Sequence, residues 1–174
     1  MIDIRKMTRV VPDFPKPGIG FFDITTVLKN GPAFQQVIDT LYNRFKDCEI
    51  DKITGIEARG FVYAAALAYK MKKGLILIRK PGKLPAETFR WEYELEYGTD
   101  AVEMHKDAVE PGEKILVIDD LLATGGTVAA TCKLIEEAEG KVEGVGFMIE
   151  LDFLHGRDKL QKYDVFSIIN IEEE

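Results

Sequence analysis

Short apolar runs alternate along the chain with longer segments in which apolar residues recur every three or four positions. Apolar side chains at positions 34, 37, 38, 41, 42 and 45 fall on one helix face, which predicts a helix over 33–46. Further helical patterns lie at 61–71, 126–138 and 154–162. The apolar runs have the length of strands and are expected at 52–56, 75–78, 115–118, 142–151 and 165–169. This alternation predicts an α/β fold with a central, mainly parallel twisted sheet flanked by helices.

Two segments fall outside this alternation. Residues 87–104 alternate between polar and apolar side chains and break near Gly98, which predicts a β-hairpin. Near the N-terminus, Pro15 and Pro17 stiffen a segment that also carries three phenylalanines, so it should pack on the domain as an arm. We therefore expect one domain over 1–174, with an N-terminal arm in 1–30. From spacing alone, 86–106 is most simply an exposed two-stranded ribbon with solvated charges.

The most informative segment joins the strand at 115–118 to the helix that follows it. Two carboxylates come directly after the strand, where they can accept hydrogen bonds from sugar hydroxyls, and a glycine-containing loop then leads into the helix. Glycines let a backbone approach an anion closely, and the amino end of a helix offers free N–H groups and a positive dipole end. The segment predicts a ribose 5-phosphate site. Its ribose contacts are Asp119 and Asp120, and its phosphate contacts are Ala123, Thr124, Gly125, Gly126 and Thr127.

Other phosphate-binding motifs do not fit this segment. A P-loop has lysine directly after its last glycine, whereas Gly126 is followed by Thr127. A dinucleotide fingerprint places its carboxylate about 20 residues after the glycines, whereas both aspartates here precede them. A surface Asp-Asp turn before a glycine-rich helix start is the remaining alternative. The buried strand before it and the helix after it favour the ribose phosphate site.

Two basic loops follow neighbouring predicted strands. Arg59 and Gly60 come after the strand at 52–56, and Arg79, Lys80 and Lys83 come after the strand at 75–78. Ligands of parallel sheets bind at the carboxyl ends of the strands, so both loops should meet the aspartate segment. Because the chain carries a net charge of −7, clustered cations at this end favour pyrophosphate binding over a plain surface turn. Lys80 and Lys83 are preferred over Arg79 for this role.

The composition is that of an ordinary soluble domain, with 46% hydrophobic and 30% charged residues. The negative net charge argues against a nucleic-acid partner, and no apolar run reaches the roughly 18 residues of a membrane span. The N-terminus shows no signal-peptide core, and Cys48 and Cys132 lie far apart, so we expect reduced thiols in a cytoplasmic protein. His105 and His155 are isolated, which argues against a protein-bound zinc.

These motifs resemble those of the type I phosphoribosyltransferase family. The resemblance is carried by residues 14–24, 79–85, 95–98 and 117–127, covers nearly the whole chain, and is closest to the branch of the family that uses adenine. It implies a purine salvage enzyme that converts adenine and 5-phosphoribosyl 1-pyrophosphate to AMP and pyrophosphate. It also implies a hood in 1–30 and a flexible flap in 86–106 over the active site. The family is dimeric, and its Mg²⁺ is held through substrate oxygens and water rather than directly by the protein.

The resemblance also implies roles for individual residues. Pyrophosphate binding is implied for Ala58, Arg59, Lys80 and Lys83, and adenine binding for Gly20, Phe21, Phe22 and Leu151. The flap glutamate of the family, its acid–base candidate, corresponds to Glu96, so the implied catalytic set is Glu96, Arg59 and Lys80. The family has a strained, often cis, peptide before the arginine of its pyrophosphate loop, which makes the bond between Ala58 and Arg59 the candidate here.

Two positions depart from the family pattern. Phe22 stands where relatives usually have arginine or lysine, and Thr99 stands where a basic residue is common. Phe22 leaves open a hypoxanthine, guanine or xanthine phosphoribosyltransferase, which would share the sugar-phosphate machinery. A non-catalytic, purine-nucleotide-sensing regulator is the alternative of a different class. Such regulators usually carry a nucleic-acid-binding module or a basic face, for which this chain has neither the length nor the charge.

Overall fold

The computed structural model describes residues 1–94 and 98–173 of the 174-residue chain. Within these ranges the strands are β1 (Arg9–Val11), β2 (Phe21–Asp23), β3 (Lys52–Ile56), β4 (Gly74–Ile78), β5 (Thr88–Glu94), β6 (Thr99–His105), β7 (Lys114–Leu122), β8 (Lys141–Leu151) and β9 (Val165–Ile171). The α-helices are α1 (Ile4–Met7), α2 (Thr25–Leu28), α3 (Gly31–Phe45), α4 (Gly60–Met71) and α5 (Gly126–Glu137). Two short 3₁₀-helices, Asp152–Leu154 and Gly156–Leu160, join β8 to β9.

Five of the strands form one parallel sheet in the order β4–β3–β7–β8–β9. From β3 the chain crosses outward to β4, and from β7 it crosses outward in the other direction to β8 and then β9. The strand order therefore reverses between β3 and β7, and in such sheets a crevice opens at that point, outside the carboxyl ends of the strands. The predicted fold class, a central parallel sheet flanked by helices, is confirmed.

Two apolar cores lie on opposite faces of this sheet. Helices α3 and α4 pack on one face, where Leu116 and Ile118 are fully buried. Helix α5 covers the other face, where Ile115 and Val117 are fully buried. Because successive strand residues point to opposite faces, β7 supplies both cores at once. Its sequence is therefore a continuous apolar run rather than an alternating one.

Two antiparallel pairs of strands lie outside the main sheet. Strands β1 and β2 pair in the N-terminal segment, and β5 and β6 form the hairpin predicted near Gly98. The hairpin lies against α5, and Phe89 and Tyr93 pack on the core beneath that helix. Trp91, on the same strand face, stays partly exposed. Of the three aromatic residues of β5, two are thus partly covered by their own chain.

The segment 154–162 differs from the predicted helix. It forms two short 3₁₀-helices instead, because His155 between them has a left-handed conformation with φ of +52°, which a right-handed helix cannot contain. Leu160 is fully buried in the core on the α5 side, which accounts for the apolar spacing that suggested a helix. Strand β7 also differs, since it continues past its predicted end to Leu122, pairing with Glu150 of β8.

Candidate functional site

A cavity of about 240 Å³ opens at the carboxyl ends of β3 and β7, where the strand order reverses. Residues in the last parts of β3 and β7, and in the segments that follow β3, β4 and β7, line it together. They are Ile56, Glu57, Arg59, Lys80, Asp119, Asp120, Leu121, Leu122, Ala123, Gly125, Thr127 and Val128. The structure therefore brings the aspartates, the glycine loop, Arg59 and Lys80 to one place. That is the convergence expected for the edge of a parallel sheet.

The two aspartates lie within β7 rather than after its end, yet both line the cavity. Asp119 Oδ1 accepts a hydrogen bond from the Asp120 amide at 2.9 Å, and Asp120 Oδ2 lies 2.9 Å from Arg59 Nε. A side chain at Gly60 would come within 2.5 Å of Asp119 Oδ1, so α4 begins against this carboxylate. Burial and the neighbouring Asp120 raise the pKa of Asp119. Burial also raises the pKa of Asp120, although Arg59 opposes the shift.

Residues 123–127, which we call the phosphate loop, lead from β7 into α5. Gly125 has φ of +75° and immediately precedes the helix, so the turn uses a conformation that favours glycine. Ala123, Gly125 and Thr127 line the cavity at the amino end of α5, where helix N–H groups point outward. Thr124 is exposed, and Gly126 lies under the ring of Tyr93. The loop has the geometry of an anion-binding helix start.

The chain between β3 and α4 contains a cis peptide bond, but one residue earlier than expected. The cis bond joins Glu57 to Ala58, so the expectation for the bond between Ala58 and Arg59 is wrong. Arg59 already has helical backbone angles, φ −70° and ψ −36°, directly before α4. The Glu57 amide still donates a hydrogen bond to the Ile78 carbonyl of β4, so the chain changes direction between Glu57 and Arg59. The Arg59 guanidinium lies 5.1 Å from the centre of the Phe21 ring.

Glu57 organises the basic loop after β4. Its carboxylate accepts hydrogen bonds from Arg79 Nε at 3.2 Å and from the Lys80 amide at 2.8 Å, and it pairs with the Lys83 amine. Burial acts to raise the pKa of Glu57, but the hydrogen bonds from Lys83 and Lys80 outweigh it and lower the pKa. Of the two preferred lysines, Lys80 lines the cavity, whereas Lys83 is turned toward Glu57.

The flap contributes a residue whose importance the sequence did not reveal. The Tyr93 hydroxyl accepts a hydrogen bond from Thr127 Oγ1 at 2.9 Å and from Lys80 Nζ at 3.0 Å, and donates to Asp100 at 3.1 Å. Lys80 also forms an ion pair with Asp100. Burial acts to lower the pKa of Lys80, but hydrogen bonds with Asp100 and Tyr93 outweigh it and raise the pKa. One phenol thus links the phosphate loop to the predicted pyrophosphate lysine. The only sequence signal was an aromatic residue every second position along β5.

The N-terminal segment places its two adjacent phenylalanines on opposite sides of β2. Phe21 lies beneath Arg59 and packs edge-on against Phe14, with ring centres 5.0 Å apart. Phe22 lines a separate, mainly apolar cavity of about 280 Å³, together with Ile149 of β8 and Ile169 and Ile171 of β9. Adjacent strand residues point in opposite directions, so the side chain that departs from the family pattern faces away from Arg59.

The other residues expected at the base site have a mainly structural setting. Leu151 ends β8 and is buried in the core on the α3 and α4 face. Gly20 immediately precedes β2, and a side chain there would lie 3.6 Å from Val10. Glu96, the expected acid–base residue, lies outside the described residues. Its position relative to the cavity therefore stays a prediction.

Comparison with known proteins agrees with this geometry. A family model for the phosphoribosyl transferase domain matches residues 23–174. An adenine phosphoribosyltransferase of Chloroflexus aurantiacus is 56% identical over 167 residues, covering 96% of each chain. One from Solibacter usitatus is 53% identical over 173 residues, covering 99% of this chain and 100% of the relative. The crystal structure of adenine phosphoribosyltransferase from Thermoanaerobacter pseudethanolicus matches with a TM-score of 0.95 and 51% identity, covering 97% of this chain and 98% of that one.

Proposed function

Since the chain belongs to the phosphoribosyl transferase family, we propose that it transfers the phosphoribosyl group of 5-phosphoribosyl 1-pyrophosphate to adenine. The products are AMP and pyrophosphate, and the role is purine salvage. The observation that carries the proposal is the cavity at the strand reversal, where the half-buried Asp119, the buried Asp120, the phosphate loop and two cations meet. The full-length similarity to relatives named adenine phosphoribosyltransferase supports the choice of base.

The sugar phosphate is held by β7 and the phosphate loop. Asp119 and Asp120 accept hydrogen bonds from the ribose hydroxyls. Backbone amides and hydroxyls of residues 123–127 bind the 5-phosphate at the amino end of α5. Binding energy from this non-reacting part of the substrate fixes the position of the sugar carbon that the base attacks. The two nearby carboxylates also stabilise the partial positive charge that develops on the ribose in the transition state.

The leaving pyrophosphate is held by cations after β3 and β4. Arg59 offers a planar fork of donors, and Lys80 contributes a second charge from across the cavity. Fixed positive charge stabilises the leaving oxygens as the glycosidic bond breaks. Ala58 supplies backbone contacts at the same turn, and Lys83 joins them only if its amine leaves Glu57. Arg59 must likewise exchange its contact with Asp120 for the ligand.

Magnesium fits the donors of this cavity. Asp119 and Asp120 present carboxylate oxygens to the cavity. Mg²⁺ usually binds one or two such carboxylates and completes its coordination with water and phosphate oxygens. Within residues 1–94 and 98–173, no group of three or more His, Cys, Asp or Glu side chains could hold a metal ion. We therefore assign most of the coordination to the substrate and water. When bound, Mg²⁺ would neutralise charge on the pyrophosphate oxygens.

The purine is placed against the hood. Phe21 presents an aromatic ring next to Arg59, and the backbone from Gly20 to Phe22 offers hydrogen bonds in fixed register, which can distinguish a 6-amino from a 6-oxo purine. Leu151 closes the apolar side of the base. Glu96 exchanges a proton with the purine ring as the glycosidic nitrogen attacks.

Dimer formation is part of the proposal. Val62 and Tyr69 of α4 and Leu75 and Leu77 of the edge strand β4 are large apolar side chains exposed to solvent, with Tyr69 89% exposed. Exposed apolar residues clustered on neighbouring elements are typical of a protein–protein interface. Light scattering should give twice the chain mass of 19.6 kDa, and a monomer at assay concentration would contradict this part.

A cytoplasmic location is also proposed, on the support of two free cysteines, Cys48 and Cys132. Among the helices that the structure describes, none combines the length and apolarity of a membrane span.

The direct test is product formation from purified protein. We expect AMP and pyrophosphate in equal amounts, and only when adenine, 5-phosphoribosyl 1-pyrophosphate and Mg²⁺ are all present. A regulator would bind the sugar phosphate without releasing pyrophosphate, so the absence of both products in all mixtures would refute the enzyme.

Glu96 has a separate test. Glu96→Leu should lower kcat by at least about 100-fold while changing the affinity for either substrate little, because general acid–base catalysis typically contributes 10²–10⁴-fold. Glu92→Leu, at an exposed glutamate of β5, is the matched control and should keep the wild-type rate. A Glu96→Leu variant with wild-type turnover would remove Glu96 from the mechanism.

A further inference from the structure

We infer that Arg157 and Glu150 are positioning residues for the phosphate loop, acting through Gly156. This role rests on the proposed function and concerns residues that touch no part of the substrate site directly. Arg157 lies in the connection between β8 and β9, Glu150 lies near the end of β8, and neither residue lines the cavity. The effect of the pair should be confined to ligands that carry a 5-phosphate.

The first step is the contact between two backbones. Gly156 lies against the phosphate loop so closely that a side chain on it would come within 2.1 Å of the Ala123 carbonyl oxygen and 3.0 Å of the Gly125 amide nitrogen. In the reverse direction, a side chain on Gly125 would come within 2.3 Å of the Gly156 carbonyl oxygen. Two residues without side chains therefore meet face to face. The position of Gly156 sets how far the phosphate loop can move back from its ligand.

The second step is what holds Gly156 in place. The next residue, Arg157, donates from Nε to Glu150 Oε1 at 2.8 Å, pairs with the other carboxylate oxygen through Nη2, and donates from Nη1 to the Val165 carbonyl at 3.0 Å. Ser167 of β9 donates to the same carboxylate at 2.5 Å. One side chain thus ties the turn to the ends of both β8 and β9. A planar guanidinium can do this because it presents several donors in a fixed fork.

The third step is the setting of the carboxylate. Glu150 is only 3% exposed, and it belongs to the strand that pairs with β7 directly beside the phosphate loop. Burial acts to raise the pKa of Glu150, but hydrogen bonds from Arg157 and Ser167 outweigh it and keep the group ionised with a lowered pKa. A buried, fully hydrogen-bonded charge holds its partner firmly, because losing that partner leaves the charge unpaired. The tether is therefore rigid, and so is the backbone contact that depends on it.

The consequence is a loop held in register with the amino end of α5. Helix N–H groups bind a phosphate only when the loop before the helix keeps its distance and direction. Loosening Arg157 should therefore weaken binding of the 5-phosphate while leaving the base site in place.

The test uses Arg157→Gln and Arg157→Lys in the full chain, with Lys162→Ala as the control. Lys162 forms a solvent-exposed ion pair with Glu136 a few residues further along the same connection, without contact to the loop. Both Arg157 variants should raise KM for 5-phosphoribosyl 1-pyrophosphate about 10-fold or more, with KM for adenine within about twofold of wild type. Lysine should not rescue, because it lacks the fork.

A binding measurement separates a positioning role from general damage. Calorimetry should show that affinity for AMP falls in the Arg157 variants by the same factor as for the pyrophosphate substrate, whereas affinity for adenosine, which has no phosphate, stays unchanged. Equal losses for AMP and adenosine, or no loss for either, would overturn the inference. If an Arg157 variant does not fold, Ser167→Ala removes one hydrogen bond to Glu150 and should give the same pattern in weaker form, with its absence counting against the tether. Wild-type protein that makes no AMP would instead refute the proposed function.

Discussion

Tyr93→Phe should lower the unfolding free energy of the free protein and, at the same time, increase its affinity for 5-phosphoribosyl 1-pyrophosphate. The substitution removes one hydroxyl and keeps the ring that lies over Gly126. That hydroxyl accepts hydrogen bonds from Thr127 and Lys80, the two residues that we assign to binding the 5-phosphate and the pyrophosphate. Both groups must leave Tyr93 when the substrate arrives. Interactions present only in the free state oppose binding, so their removal favours the complex.

The size of the effect follows from the two hydrogen bonds that binding breaks. A neutral hydrogen bond contributes about 0.5–1.5 kcal/mol net, and one to a charged group about 1.5–3 kcal/mol. Lys80 is about a third exposed and keeps its ion pair with Asp100, so the lower end applies to it. We expect a loss of about 1–2 kcal/mol in unfolding free energy. The same amount should appear as roughly 5- to 30-fold tighter binding of 5-phosphoribosyl 1-pyrophosphate.

The assay pairs denaturant unfolding with calorimetric titration of 5-phosphoribosyl 1-pyrophosphate. Tyr42→Phe is the matched control, because that tyrosine of α3 packs on the core outside the cavity. It should change neither quantity. A Tyr93→Phe protein that is less stable and also binds the substrate more weakly would refute the reasoning, since the hydroxyl would then contribute to the complex rather than compete with it.

Three further predictions concern buried groups near the cavity. Asp119→Asn should abolish AMP formation yet raise Tm by a few degrees at pH 7.5. Burial and Asp120 raise the pKa of Asp119, so ionising this carboxyl lowers the stability of the folded protein, and the gain in Tm should shrink as pH falls toward 3.8. Because the pKa of Glu150 is lowered in the folded protein, this group contributes to the free energy of unfolding above about pH 4.5, and the contribution is lost as pH falls through the folded-state pKa. Glu150→Gln should therefore reduce the loss of unfolding free energy at acid pH, and an unchanged dependence on pH would contradict this. Gly60→Ala should raise KM for the sugar substrate, because its Cβ would lie 2.5 Å from Asp119 Oδ1; wild-type kinetics would show that α4 can shift freely.

The parts of the fold that rest on local signals could be predicted from the sequence. The apolar run at 115–118 indicated a strand buried on both faces, and it is one. The glycine-containing loop indicated an anion site at a helix start, and Gly125 has the left-handed conformation that this requires. The meeting of the loops followed from sheet topology rather than from any single residue.

The parts that rest on contacts between distant segments could not be predicted. The phosphate loop and Gly156 are some 30 residues apart in sequence, and a glycine within an apolar pattern gives no sign of which backbone it touches. The same holds for the hydroxyl of Tyr93, since strand periodicity places its ring but not its hydrogen bonds. The left-handed His155 broke an expected helix, and no sequence signal marked it because few residues other than glycine adopt this conformation. The sequence also did not mark which peptide bond after β3 is cis, and it is the bond between Glu57 and Ala58.

The choice of adenine over the 6-oxo purines is the central claim, and one measurement tests it most directly. Initial rates with adenine, hypoxanthine and guanine, each with saturating 5-phosphoribosyl 1-pyrophosphate and Mg²⁺, give the ratio of kcat/KM values. Because Phe22 points away from Arg59, its departure from the family pattern should leave the backbone register at the base intact. We predict a preference for adenine on the order of 100-fold or more. Comparable rates for the three bases, or a preference for hypoxanthine or guanine, would contradict it.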